Sequence, residues 1–208
     1  MLTQPERNDI ARLWARKLDQ DARKLPQEQR HRNLEPDSAE FLCALAAGLR
    51  AKRLLEIGGS SGISTIALAA AARQTGGRLT SIEKEAGRQT EARETIARLG
   101  LAEFVEFALG DAAEILPRLA EPVDFALIDC EKSDYIRFFD LIPAAGGAVI
   151  VADNILSHDL RDYVAHVRSR PGVDSVTLSV GKGLELTRMP ADHRLKPVRP
   201  IEPTCETR

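Results

Sequence analysis

The stretch Val149-Ile150-Val151-Ala152-Asp153-Asn154-Ile155-Leu156 begins as a strand that wants burial and then sets a carboxylate beside a carboxamide. A second apolar run, from Val123, ends in Asp129, with Cys130, Glu131 and Lys132 after it. If the two runs are adjacent strands, Asp129, Asp153 and Asn154 bring three hard oxygen donors to one side of a sheet. So small a set of protein ligands suits an octahedral cation that keeps waters or takes substrate oxygens, and Mg2+ is the natural expectation. Singly, each residue has an ordinary explanation: Asp153 and Asn154 a helix cap, Asp129 a turn, Lys132 a surface lysine. Their joint occurrence at strand ends favours a metal.

Other strand ends carry further candidates. Glu56-x-Gly58-x-Ser60-x-Gly62 follows the run Arg53 to Ile57 and precedes a helix. Glycines there let a ligand approach the backbone, and a helix amino terminus offers free N–H groups. The G-x-G-x-x-G dinucleotide pattern is not met, since Ser60 replaces the middle glycine. Glu83 ends the next run at about the distance where ribose-binding acids lie in such folds. Asp111, after Gly110, either caps the following helix or accepts from an exocyclic amine.

Helical spacing of Ile10, Leu13, Trp14 and Leu18, and again over Asp37 to Leu49, makes the opening quarter helical. Beyond it, strands are expected at 53–57, 78–83, 104–109, 123–129 and 148–153, with helices beginning near Ile63, Ala86, Ala112 and Ser133. Tyr135, Phe138, Phe139 and Ile142 form an apolar stripe that reads as core. A further helix carries Leu160, Tyr163, Val164 and Val167, and two closing segments around Gly181-Lys182-Gly183 look like a hairpin. Alternation of this kind implies right-handed crossovers and a mostly parallel sheet with helices on both faces, whose ligands sit at the carboxyl ends of the strands. Residues 1–50 are expected to form part of a lid and ligand site, 51–189 the core of the same single domain, and 190–208, with four prolines, a mobile tail.

Composition sets outer limits. The 208 residues are 43% hydrophobic, enough for one core, and a net charge of -2 gives no large positive field for nonspecific nucleic-acid binding. No apolar run approaches the roughly 20 residues that span a bilayer, and the start lacks signal-peptide order, so a cytoplasmic protein without membrane contact is expected. Cys43, Cys130 and Cys205 are scattered without metal-ligand spacing and read as reduced thiols.

Together, "LLEIGGSSGIST", "SIEKE", "GDAAEILP", "ALIDCEKSDY" and "VADNIL" resemble the cation-dependent, S-adenosylmethionine-dependent O-methyltransferases, the catechol O-methyltransferase-like group, over roughly Asn33 to Met189. The resemblance implies a Rossmann-like class I methyltransferase fold with a seven-stranded sheet and a C-terminal antiparallel hairpin. It places Asn33, Glu56 and Ser64 around the methionine part and amino end of the cofactor, Glu83 at the ribose hydroxyls, and Asp111 and Ala112 beside the adenine. Leu34, Gly58, Ser60, Gly62, Lys84, Gly110, Asp129 and Glu131 are further cofactor-binding residues it implies. It also implies metal ligands Asp129, Asp153 and Asn154, with Lys132 as general base. A homodimer is expected from bacterial relatives, through the amino-terminal helices and a sheet edge.

Departures bear on the acceptor. Glu131 stands where the animal enzymes have a cofactor-packing tryptophan, Arg30 and His31 lie near the place of an aromatic gatekeeper, and Val176 replaces a glutamate that assists the base. A catechol-like small molecule is the first expectation. The alternatives are a hydroxylated uridine in tRNA, met by Arg23, Lys24, Arg30, His31 and Arg32, or a metal-independent small-molecule methyl transfer. Rival classes are a Ser60–Asp153–His158 hydrolase, which lacks the earlier strands a nucleophile elbow needs, a nicotinamide dehydrogenase, and a binding module without turnover.

Overall fold

The structure is a computed structural model that describes residues 1–26 and 29–192. The expected tail lies almost wholly outside the described residues, as does Cys205. Seven strands form a single sheet in the order β3-β2-β1-β4-β5-β7-β6. In chain order they are β1 (Arg53–Ile57), β2 (Arg78–Glu83), β3 (Val105–Leu109), β4 (Val123–Ile128), β5 (Ala144–Ala152), β6 (Asp174–Leu178) and β7 (Leu184–Arg188). The first five run parallel, and β7 pairs antiparallel with both β5 and β6, so the closing hairpin is the expected one.

Side-chain alternation explains why helices cover both faces. Leu54, Phe125, Leu127, Val149 and Val151 point to one face, where α1 (Gln4–Ala22), α2 (Pro36–Gly48) and α3 (Ile63–Thr75) close the core. Leu55, Ile57, Ala126, Ile128, Ile150 and Ala152 point to the other, under α5 (Ala112–Ile115), α6 (Tyr135–Leu141) and α7 (Arg161–Arg168). The run Ile63 to Ala72 in α3 is buried on every side, and its alanines let α2 and the sheet approach closely. Helix α4 (Ala86–Arg98) joins the first core through Ile96.

Two boundaries differ from expectation. Strand β5 starts at Ala144 rather than 148, because the chain pairs Val123 with Ala144 and then absorbs Gly146 and Gly147 in a register shift before Val149 meets Phe125. Glycine tolerates such an irregularity, which makes the segment read as a turn in sequence. The helix expected from Ser133 is instead a 3-10 turn over Lys132–Asp134 running into α6. Strand order reverses between β1 and β4, both starting from the same central strand pair. The crevice beyond that switch point is where an open α/β sheet binds its ligand.

Candidate active site

A cavity of about 110 Å³ opens beyond the carboxyl ends of β1, β2 and β4. Gly58, Ser60, Glu83, Lys84, Gly110, Asp111, Ala112, Asp129 and Glu131 all line it. Gly58 has φ 96, and a Cβ there would collide with the carbonyl oxygen of Asp129, so only glycine lets the β1 and β4 loops close together. Glu83 is buried, with Oε2 accepting from Ser60 N at 2.8 Å and Oε1 from Lys84 N and Glu85 N at 2.9 Å each. Three backbone donors hold its carboxylate in one orientation while leaving lone pairs for vicinal hydroxyls. Asp111 caps α5 by accepting from Ala113 N at 2.8 Å, so its ordinary role is met even as it faces the cavity.

The remaining cofactor candidates sit behind this wall. Glu56 is fully buried; Thr65 Oγ1 and Ser81 Oγ donate to its Oε2 at 2.7 and 2.5 Å, while Oε1 has no donor among the described residues. Burial raises its pKa despite those donors. Asn33 and Ser61 exchange hydrogen bonds of 2.9 and 3.1 Å, fastening the segment before α2 to the glycine turn. Gly62 and Ser64 begin α3, and the Leu34 side chain is buried in the core, so none of these three lines the cavity.

At the adjoining strand ends the oxygen donors do converge. Asn154 Nδ2 donates to Asp129 Oδ1 at 3.0 Å and to Asp153 Oδ2 at 2.8 Å. Asp153 Oδ1 is buried with no partner among the described residues. Burial and the Asp129 charge push the Asp153 carboxyl up to about 8, and burial raises Asp129 as well. Two buried carboxylates sharing a site is an arrangement a cation relieves. Rotating the Asn154 amide would exchange Nδ2 for Oδ1, which as placed has only a 3.5 Å contact from Ser157 Oγ, and would turn the oxygen toward both acids. The donor set therefore fits a hard divalent cation. No helix starts at Asp153, so a cap does not explain the pair; α7 begins only at Arg161.

Lys132 belongs to the same cluster. Its Nζ lies 3.2 Å from Asp129 Oδ1 and donates to Tyr135 Oη at 2.6 Å, and Tyr135 Oη in turn donates to the Asp153 carbonyl at 3.2 Å. Tyr135 does pack in the core as expected, but its hydroxyl reaches the site, a role visible in sequence only as its spacing of three from Lys132. A second cavity, of about 330 Å³, adjoins the first: Asp129 and Arg32 line both, and Lys132, Asn154 and His158 line the second. Lys17, Asp21 and Lys182 complete its wall and were not singled out by sequence reasoning. The serine-hydrolase arrangement is absent among the described residues: Ser60 Oγ accepts from Arg32 N at 3.3 Å, and His158 Nδ1 pairs with Ser157 Oγ at 3.0 Å.

This fold, with its strand-end carboxylates, defines a class I methyltransferase dependent on S-adenosylmethionine. Residues 14–189 match the O-methyltransferase family model. The chain belongs to that family, in the cation-dependent group of catechol and caffeoyl-CoA O-methyltransferases. It is similar to a catechol O-methyltransferase of Mycobacterium tuberculosis, 36% identical over 160 residues that cover 69% of this chain and 72% of the relative. Among solved structures, an O-methyltransferase from Bacillus cereus in complex with SAH superposes with a TM-score of 0.75 at 25% identity, covering 91% of this chain and 92% of that one. TomG from Streptomyces achromogenes, in complex with SAM, gives 0.74 at 26% identity with 91% of each chain covered.

Proposed function

We propose that this enzyme transfers the methyl group of S-adenosylmethionine to a hydroxyl of a catechol-like small molecule, assisted by a divalent cation, with Lys132 as general base. The observation that carries this reading is the buried cluster of Asp129, Asp153 and Asn154, with Lys132 beside it, at the junction of the two cavities. A divalent cation at those oxygens supplies positive charge that lowers the pKa of an acceptor hydroxyl. Glu83 receives the ribose hydroxyls of the cofactor, and Glu56 and Asn33 stiffen the turn under its methionine end. Lys132 takes the acceptor proton on Nζ, held toward the site by Tyr135. Asp129, on the wall of both cavities, keeps acceptor and cofactor in register, and such orientation contributes much of the rate in methyl transfer.

A tRNA acceptor has less support. Arg23 pairs with Asp19 and Arg32 with Glu131, so these two cations are not free for a phosphate backbone. Calorimetric titration of magnesium into protein saturated with S-adenosylhomocysteine tests the metal role. Wild type is expected to bind one ion and Asp153→Ala none. Equal binding by both proteins would remove Asp153 from the site, and transfer to catechol at full rate in chelator would remove the cation.

A further inference from the structure

The second cavity has an unusual wall for a site expected to take an aromatic ring. Its lining is polar throughout: Lys17, Asp21, Arg30, His31, Arg32 and Asn33 on one side, the Asp129–Lys132 loop, Asn154, His158 and Lys182 on the other. No aliphatic side chain and no Phe, Tyr or Trp is among them, so a neutral ring gains little hydrophobic stabilisation there. Besides Lys132, the proposed base, the wall carries four cations, Lys17, Arg30, Arg32 and Lys182, and two carboxylates, Asp21 and Asp129. The four cations come from three separate segments, which makes their convergence a property of the fold and not of a basic run in sequence.

Their partners leave capacity to spare. Lys17 and Arg30 share the single carboxylate of Asp21, at 2.6 and 3.3 Å, and Arg30 Nε is buried without an acceptor among the described residues. Lys182 Nζ is ion-paired with Glu35 Oε1 at 2.8 Å, which engages one of its three donors and leaves the others for a ligand. Lys182 is held in place by its backbone: Leu156 N donates to its carbonyl at 2.9 Å and Ile155 N to that of Gly183 at 3.0 Å. These bonds clamp the β6–β7 turn to the loop that leaves the Asp153–Asn154 pair.

We propose that the acceptor carries an anionic group, a carboxylate or a phosphate, remote from its reacting hydroxyls, and that Arg30 and Lys182 hold that group in the second cavity. The inference rests on the assignment of this cavity to the acceptor, and it deepens that assignment by naming what the acceptor must carry. Arg30 presents a planar fork that suits either oxyanion, and Lys182 acts as a point charge. The anion would also explain how a site without aromatic walls selects one ring: charge, not apolar contact, fixes its orientation.

Binding separates this inference from the methyl-transfer reading, because it is measured without turnover. Protein saturated with S-adenosylhomocysteine and magnesium is titrated calorimetrically with 3,4-dihydroxybenzoate, 3,4-dihydroxybenzylphosphonate and the neutral 3,4-dihydroxybenzamide. At least one anion is expected to bind about tenfold or more tighter than the amide, as for a charge-assisted contact, and the tighter of the two identifies the group. Arg30→Gln, which leaves Asp21 paired with Lys17, and Lys182→Gln should each shrink that preference severalfold. Should the amide bind as tightly as both anions, or should all three fail to bind, the anionic acceptor is excluded. Methyl transfer from S-adenosylmethionine is then read separately: turnover of the amide with no anion preference leaves the transferase reading intact, while anion binding without turnover of any of the three counts against that reading alone.

Discussion

Lys132 Nζ lies 2.6 Å from the hydroxyl of Tyr135, one turn further along the chain. Tyr135 is fully buried, and burial raises its pKa well above the usual phenol value, so it stays neutral and serves as acceptor to Lys132 and donor to the Asp153 carbonyl. The hydroxyl therefore ties the proposed base to the backbone of a proposed metal ligand. Tyr135→Phe keeps the ring and its edge-on packing against Tyr163, with centroids 5.5 Å apart, and removes only this tether. The expected result is a fall in kcat of about three- to tenfold with little change in KM, and a stability loss of about 1 kcal/mol for the unpaired carbonyl. A kcat within error of wild type would show that Lys132 finds its position without help.

The acid pair predicts how metal affinity follows pH. Asp153 titrates at about 8 in the metal-free fold, raised first by burial and then by Asp129. A carboxyl raised above its unfolded value binds its proton more tightly in the folded state, so it lowers stability progressively as pH rises from the unfolded pKa toward 8. A cation needs the deprotonated form, and below pH 8 its binding must release that proton. Apparent magnesium affinity should rise by up to about tenfold per pH unit between 6 and 8 and level off above. Calorimetry in buffers of different ionisation enthalpy reads the released proton directly, and pH-independent binding with no release would contradict a shared proton on the pair.

The oxygen cluster was legible because each member ends a buried strand, and strand ends of a parallel sheet share one edge. Glu83 and the Gly58 turn were legible for the same reason. What sequence could not show is the lining brought in from distant segments. Lys17 reads as one more charge on an amphipathic helix, and Lys182 as the tip of a turn; only the folding of α1 and the β6–β7 hairpin over the sheet edge sets them around Asn154. The contact between Arg32 and Glu131 spans 99 positions and carries no local signal. Tyr135 was hidden differently, since its ring satisfies the apolar stripe so well that nothing marks the hydroxyl as used. The early start of β5 was masked by Gly146 and Gly147, whose conformational freedom suits a turn as well as a bulged strand.

Glu83 gives the most direct test of the cofactor cavity. Its carboxylate is fixed by three backbone N–H groups and faces the space between β1 and β2. Glu83→Ala removes the acceptor for the ribose hydroxyls and leaves those N–H groups to water. Affinity for S-adenosylhomocysteine should weaken by about 10- to 100-fold, as expected for hydrogen bonds to a charged group. Glu83→Gln should also weaken it, because an amide can present only one oxygen to donors on both sides. Retention of wild-type affinity by both variants would place the ribose elsewhere.

The amino-terminal helix must stay docked for Lys17 and Asp21 to reach the second cavity, and the ion pair between Glu6 and Arg73 anchors it to α3. Glu6 is almost wholly buried, with Arg73 Nη1 at 2.5 Å and Thr3 N at 2.6 Å from its two oxygens. Burial alone would raise the Glu6 pKa, but the Arg73 and Thr3 hydrogen bonds outweigh it and hold the carboxyl below its usual range. A lowered pKa means that the stabilisation is fully present above the unfolded value of 4.5 and is lost as pH falls through the folded one. Arg73→Ala should cost about 1–3 kcal/mol at pH 7, since it strands a buried carboxylate. The gap from wild type in urea unfolding should narrow as pH is taken from 7 to well below 4.5, as Glu6 takes up its proton. A gap of the same size at both pH values would mean that Arg73 stabilises α1 by packing its stem and not through Glu6.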